Sequence, residues 1–379
     1  MSDLLQELES FIQFEFGIVA MVISYLDVLS LCRCDSALTN HMTRQHWLYS
    51  LEISSSKAIE AWRHRESMQS LRWLSSRKPM VTKVWLFWYE KNFLEYPLLL
   101  SSLKLTDLIL HGDSSHRFLS DFGLEQLKAG AFIDLEKFQI WLGDYIPSPV
   151  AFTTFVQCCP KLRGLGLRGY APNFCSEHLR VITEGCPHLE HLSLPPNSGV
   201  RDSDLRFVVK NCSHLKEIRL VNQKLITNSG LEIIAACPLE KVYINDVFAV
   251  TTDGIVSMIK KIAPTLHVFR LHVFSQEKKS YDMVKIVKEL VQNRCANLEK
   301  LDLIIYEISQ PLPIEELLEY CSKVREVQVH CYSRIVRYTD EEVLGDGGLP
   351  HLKSLFPLVT FVGCGIRARR SKRLRKIYA

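Results

Sequence analysis

The sequence predicts a parallel α/β solenoid. One short phrase recurs at a near-constant interval, each copy passes from strand period to helix period, and each copy offers an apolar face that only a neighbouring copy can cover. The phrase reads Cys159-Pro-Lys-Leu162-x-x-Leu165-x-Leu167, then Cys186-Pro-His-Leu189-x-x-Leu192-x-Leu194, then Cys212-x-x-Leu215-x-x-Ile218-x-Leu220. It continues at Cys237-Pro-Leu239-x-x-Val242-x-Ile244, Leu266-x-x-Phe269-x-Leu271, Cys295-x-x-Leu298-x-x-Leu301-x-Leu303 and Cys321-x-x-Val324-x-x-Val327-x-Val329. The cysteines at 159, 186, 212 and 237 are 27, 26 and 25 residues apart. That interval belongs to leucine-rich repeats rather than to helical hairpins or propeller blades.

Within one repeat, Leu165 and Leu167 alternate with the period of two that a strand requires. Asp202, Ser203 and Asp204, or Thr227, Asn228 and Ser229, follow as acceptors for the first free amides of a helix. Leu205, Val208, Val209 and Cys212 then recur at helical spacing, and the Cys-Pro step ends the helix because proline cannot continue it. Each unit is therefore strand, turn, helix, and stacking places parallel strands on the inside of a horseshoe.

Ragged copies extend the array at Leu135-x-x-Phe138-x-Ile140, Leu105-x-x-Leu108-x-Leu110 and Val81-x-x-Val84-x-Leu86, and at Leu352-x-x-Leu355 on the far side. About ten units result, with atypical ends as caps. The longer interval from Leu266 to Leu298 places its extra residues around Gln276–Ser280, which reads as a surface loop.

With 47% hydrophobic residues the chain can fill a core, and at 379 residues it is longer than a usual single globular domain, which a repeat array permits. The apolar stretch from Phe16 to Leu26 is too short to span a bilayer, and Asp3, Glu7 and Glu9 precede it where a signal peptide is basic, so a cytosolic or nuclear protein is expected. Six of the 12 cysteines recur once per repeat and read as small buried thiols. Cys32 with Cys34 and the adjacent Cys158 and Cys159 lack the spaced pairs of a zinc site, and neither a metal nor a cofactor is expected.

Residues 1–78 do not follow the repeat and read as helical: Ile18, Val22 and Leu26 share one helical face, and Leu29 to Leu38 starts a second amphipathic helix. The run Val22-Ile-Ser-Tyr25-Leu26-Asp27-Val-Leu-Ser-Leu31-Cys32-Arg33, with Trp47 further on, resembles the F-box. Phe14 and Glu15 stand where that family opens with leucine and proline. An F-box-like segment ahead of Cys-Pro-x-Leu repeats is similar to the F-box and leucine-rich-repeat family. The resemblance implies an all-helical F-box-like cap whose Ile18, Val22, Tyr25, Leu26 and Leu31 dock a Skp-type adaptor of a cullin complex. It also implies that the repeats hold a protein substrate for ubiquitin-dependent degradation. Without the resemblance, the same five residues would serve to cap the open end of the solenoid, and the chain would be an interaction scaffold with no ubiquitin role.

The sequence holds no phosphate-cradling glycine loop, His-Glu-x-x-His motif or Gly-x-Ser-x-Gly elbow, and its 13 histidines are scattered, so no catalytic residue is expected. The concave strands offer a binding face instead. Residues flanking the last two leucines of each phrase point away from the core. Their middle column runs through Ser193, Arg219, Tyr243, Arg270, Asp302 and Gln328, and the next through Trp141, Arg168, Val221, Asn245, His272 and His330. Trp141, Arg168, Arg219, Tyr243, Arg270 and His272 suit an acidic or phosphorylated segment of a partner. Interspersed acids such as Asp107, Glu217 and Glu326 fit a mixed solvated face equally well.

The tail, 363–379, is a compositional break. Arg367, Arg369, Arg370, Lys372, Arg373, Arg375 and Lys376 are seven of the net charges, so a chain of net charge +4 is −3 without them. Such a cluster suits nuclear import, nucleic acid or an anionic membrane, and suits a solvated end as well; nucleic acid is not expected as the main partner. The organisation expected is 1–78 F-box-like, 79–362 repeats, 363–379 basic tail.

Overall fold

The computed structural model describes residues 58–61, 72, 75–76, 82–87, 96–111, 131–142, 146–273, 281–305, 310–331, 343–344 and 348–362. The chain divides into two compact units between Leu165 and Gly166.

In the first unit, β1 (Ala58–Ala61), β2 (Lys83–Phe87), β3 (Asp107–His111) and β4 (Lys137–Trp141) pair in chain order, all parallel. The register is the one the phrase dictates, with Val84 opposite Leu108 and Leu108 opposite Phe138. Between strands lie α1 (Tyr96–Ser101) and, after β4, α2 (Pro149–Cys158). Helix α2 begins with Ser148 accepting from the Ala151 amide and with Pro149 in its first turn, where a missing N–H costs nothing. The Phe138 and Phe155 rings lie 4.6 Å apart beneath the sheet. Strand β5 (Gly164–Arg168) carries the division between the units.

In the second unit, β6 (His191–Ser193), β7 (Glu217–Val221), β8 (Lys241–Asn245), β9 (Val268–His272), β10 (Lys300–Ile305), β11 (Glu326–Cys331) and β12 (Thr360–Val362) also pair parallel in chain order. Helices α3 (Ser176–Gly185), α4 (Leu205–Asn211), α5 (Asn228–Ile234), α6 (Thr252–Ile262), α7 (Met283–Gln292), α8 (Ile314–Tyr320) and α9 (Gly348–Leu355) alternate with the strands. This is the α/β leucine-rich-repeat solenoid that the phrase predicts. Its leucine positions, Leu192, Leu194, Ile218, Leu220, Val242, Ile244, Phe269 and Leu271, are at most 1% exposed. Each such side chain contributes about 1.5–3 kcal/mol of burial, so the phrase itself supplies the core.

Three local devices repeat. At the start of most strands one carbonyl of the preceding repeat accepts from two successive amides: Glu190 O from Lys216 and Glu217, Lys216 O from Glu240 and Lys241, Glu240 O from His267 and Val268. At the end of several helices a cysteine carbonyl accepts from the amide three residues on, as Cys186 O from Leu189 and Cys212 O from Leu215, and proline fits the second place of such a turn. The cysteine side chain is thereby turned into the core. At the end of three strands the chain enters the left-handed region, at Gly169, Asn222 and Asp246, residue types that tolerate it.

Some expectations are corrected. Leu352 and Leu355 do not form a strand: they lie in α9, and the last strand is Thr360–Val362. A three-residue separation fits a helix turn as well as this phrase, and Pro357 occupies the place where the third apolar residue would confirm a strand. The region read as wholly helical contains β1, which extends the parallel array. Asp202 does not cap its own helix. Its carboxylate reaches the next repeat, accepting from the Thr227 amide (2.8 Å) and hydroxyl (2.6 Å).

Ile18, Val22, Tyr25, Leu26, Leu31, Cys32, Cys34 and Trp47 lie outside the described residues, as do Gln276–Ser280 and the basic tail. Among the described residues no helix is long and apolar enough to cross a membrane.

Candidate functional site

The outward side chains of β6–β10 stand in the columns that the phrase assigns. Ser193 pairs with Arg219, Arg219 with Tyr243, Tyr243 with Arg270, Arg270 with Asp302, and Asp302 with Gln328. The adjoining column runs Val221, Asn245, His272, Ile304, His330. Alternation along each strand puts these residues opposite the core leucines.

Two arginines flank one tyrosine. The Arg219 guanidinium carbon lies 4.1 Å from the centre of the Tyr243 ring, and that of Arg270 lies 5.1 Å from it. Both distances fall within cation–π range. Each arginine is also held by an acid. Arg219 Nε donates to Glu217 Oε1 (2.6 Å), and His191 Nδ1 lies 3.2 Å from the other Glu217 oxygen. Arg270 Nε forms a 2.7 Å ion pair with Asp302 Oδ2, its N–H not aimed at the oxygen, and His272 Nε2 lies 2.8 Å from Asp302 Oδ1. The result is the same arrangement twice, a carboxylate shared by a histidine and an arginine, on either side of Tyr243. Beyond it, Lys300 and Glu326 pair at 2.6 Å on neighbouring strands.

The electrostatics follow from this geometry. Burial alone would raise the Glu217 pKa, but the His191 hydrogen bond and the Arg219 charge outweigh it and bring it to about 2. Burial likewise opposes ionisation of Asp302, and the His272 contact and Arg270 overcome it, so that carboxyl also lies below its usual range. Tyr243 is raised by burial and by the Glu217 charge. Arg168, exposed as a whole residue, is lowered by partial desolvation and by the neighbouring Arg219 charge.

The residues picked from sequence therefore fall into separate groups. Arg219, Tyr243 and Arg270 form one cluster, and Arg168 belongs to the same unit close enough to feel Arg219. Trp141 belongs to the first unit, where its ring lies 4.9 Å from that of His111. His272 faces inward in this cluster: it is 2% exposed and spends Nε2 on Asp302, which makes it a support for the acid rather than a contact surface. Glu217 and Asp302 are the residues whose part sequence reading missed. Their signal was present, as an acid two residues before Arg219 on one strand and an acid opposite Arg270 on the next.

Among the described residues no group of three or more histidines, cysteines and acids is placed to hold a metal ion. The repeat thiols Cys186, Cys212, Cys237, Cys295 and Cys321 are buried and unbridged.

No protein-family model matches the sequence, and no curated protein matches it. Among solved structures the chain is similar to a chain of the Rad7 and Elc1 complex in yeast, at 14% identity over 96% of both chains with a TM-score of 0.44. It is also similar to internalin inlF from Listeria monocytogenes, at 11% identity over 76% of this chain and 85% of that one, TM-score 0.39. A third is the TLR13–ssRNA13 complex, at 15% identity over 79% of this chain and 35% of that one, TM-score 0.36.

Proposed function

We propose that this chain is a protein-recognition subunit that acts by binding and not by catalysis, and that it recruits substrates to a cullin-based ubiquitin ligase. The observation that carries the recognition half is the outward column of β6–β10. Parallel strands fix five successive side chains at one register, and ion pairs hold the charged ones in set orientations. A rigid, half-exposed surface of arginine and tyrosine is the composition that protein interfaces favour at their centres. The ligase half is supported by the F-box resemblance of Val22–Arg33, which implies that Val22, Tyr25, Leu26 and Leu31, with Ile18 just before them, dock a Skp-type adaptor.

Phe14 and Glu15, where the F-box opens with leucine and proline, favour a second reading: a repeat scaffold that binds its partner and has no ubiquitin role. Affinity purification of the tagged full chain separates the two. Co-purification of a Skp-type adaptor and a cullin, lost from Leu26→Asp/Leu31→Asp while the protein partner is kept, supports the ligase reading. A partner captured with neither adaptor nor cullin supports the scaffold.

A further inference from the structure

We propose that Arg219, Tyr243 and Arg270 form a clamp for an extended acidic segment of a partner protein, one carboxylate to each guanidinium. The inference rests on the recognition reading above and names the chemistry of what is recognised.

The acids beside the two arginines do not consume them. Glu217 and Asp302 each take the Nε end of a guanidinium, and among the described residues the Nη1 and Nη2 atoms of Arg219 and Arg270 make no hydrogen bond. The acids also lie deeper. Their side chains are 13% and 3% exposed, against 34% and 25% for Arg219 and Arg270. A ligand approaching the face meets two N–H forks, each fixed at its base by a carboxylate and on its flank by the Tyr243 ring. A fork so held has little rotamer entropy left to lose, which is what makes two-pronged binding of a carboxylate selective.

Charge favours an anion. Arg168, Arg219, Lys241 and Arg270 against Glu217 and Asp302 leave two positive charges on this part of the face, while Lys300 and Glu326 cancel each other. The two forks stand two strands apart in one column, roughly 10 Å between backbones, and both lean towards the Tyr243 ring. Residues i and i+2 of an extended chain lie on the same side about 7 Å apart, so two carboxylates at that spacing reach both forks from a segment running across the strands. The Tyr243 ring sits between the forks, where the backbone of such a segment would pass, and its hydroxyl makes no hydrogen bond among the described residues. Two forks held apart by a ring suit two separate carboxylates better than one phosphate, which a single fork can bind.

Fluorescence anisotropy on the full chain at low salt tests this. The probe is a labelled eight-residue peptide alternating glutamate and serine, compared with the same peptide carrying glutamine and with one carrying a single phosphoserine and no glutamate. The glutamate peptide should bind and the glutamine peptide should not. Arg219→Lys/Arg270→Lys keeps the net charge and loses the forks, so it should weaken glutamate-peptide binding about tenfold or more. Glu217→Gln makes the face more positive yet unhooks a fork, so binding should fall and its discrimination against glutamine should shrink, opposite to the effect of charge alone. Unchanged melting and circular dichroism establish that the lysine variant is folded. The clamp is overturned if that variant binds the glutamate peptide as the wild type does, if Glu217→Gln strengthens binding, or if only the phosphoserine peptide binds. Loss of the clamp with protein partners still captured by the wild-type chain refutes this inference alone; a wild-type chain that captures no protein refutes the recognition reading beneath it.

Discussion

Gly254, in the first turn of α6, lies so close to Asn228 that a methyl group on it would sit 2.9 Å from the Asn228 Cβ and closer still to the amide. Asn228 cannot easily move away. Its Oδ1 accepts from the Thr251 amide (2.9 Å) and its Nδ2 donates to the Thr251 hydroxyl (2.9 Å), tying the start of α5 to the start of α6. One repeat earlier Asp202 holds Thr227 in the same way, and there the glycine is Gly230. The glycines are space for a polar bridge that runs from repeat to repeat along the helix N-termini.

Gly254→Ala should therefore destabilise the protein by about 1–3 kcal/mol, although alanine is the better helix former by about 1 kcal/mol. Asn228→Ala alone should cost about 1 kcal/mol for the lost hydrogen bonds to Thr251. The two should not add: with the amide gone the methyl group has room, so the double variant should be less destabilised than the combined singles by about 1 kcal/mol. Denaturant unfolding of the four proteins measures this, and strict additivity would refute the steric account.

The repeat and its register were legible because they rest on local periodicity. Leu192, Ile218, Val242 and Phe269 are spaced by the phrase and lie opposite one another in the sheet. Arg219, Tyr243 and Arg270 were placed in one column for the same reason. What the sequence does not carry is the partner of a long side chain. Glu217 reads as an acid on the face, but that it grips the Nε of Arg219 depends on rotamers, and that His272 turns inward to Asp302 depends on the depth of β10. Leu352 and Leu355 were misread because a spacing of three belongs to both the strand phrase and a helix, and only the missing third leucine at Pro357 tells them apart.

The repeat thiols should be inert in the folded protein. Burial pushes Cys186, Cys212 and Cys295 up to about 12 and Cys237 and Cys321 to about 11, so none forms thiolate near neutral pH. Cys175, by contrast, is exposed. Alkylation at pH 8 followed by peptide mass spectrometry should label Cys175 and leave Cys186 and Cys212 unmodified until denaturant is added. Labelling of Cys212 at the rate of Cys175 would contradict its burial. Cys186→Ser should cost about 1–3 kcal/mol, the penalty for a hydroxyl in an apolar core.

Acid should loosen the concave face. The folded pKa of Glu217, about 2, lies below its ordinary 4.5, so the group contributes its stability above pH 4.5 and loses it as the pH falls towards 2. The contribution is at most about 3 kcal/mol, and Asp302 acts in the same direction. Denaturant midpoints at pH 5 and pH 3 should separate more for the wild type than for Glu217→Gln, in which this group no longer titrates. Equal separations would show that the Glu217 contacts do not persist in solution.

Asp302 should be the costliest single loss on this face. Its side chain is 3% exposed and carries the charge that both Arg270 and His272 face, so Asp302→Ala leaves a guanidinium and a buried imidazole without their acid. Breaking a buried pair from one side costs about 3–5 kcal/mol, whereas an exposed pair such as Lys285 with Asp253 is worth under about 1 kcal/mol. Asp302→Ala should fall near the lower end of the first range, because Arg270 is 25% exposed and can turn towards water. Replacing Arg270 by alanine first should then make the loss of Asp302 less costly by about 1–2 kcal/mol, since one of its two partners is already gone. The remaining cost would belong to His272. A double-mutant cycle in which Asp302→Ala is equally costly with and without Arg270 would mean that the ion pair contributes nothing, and that His272 alone fixes the position of the acid.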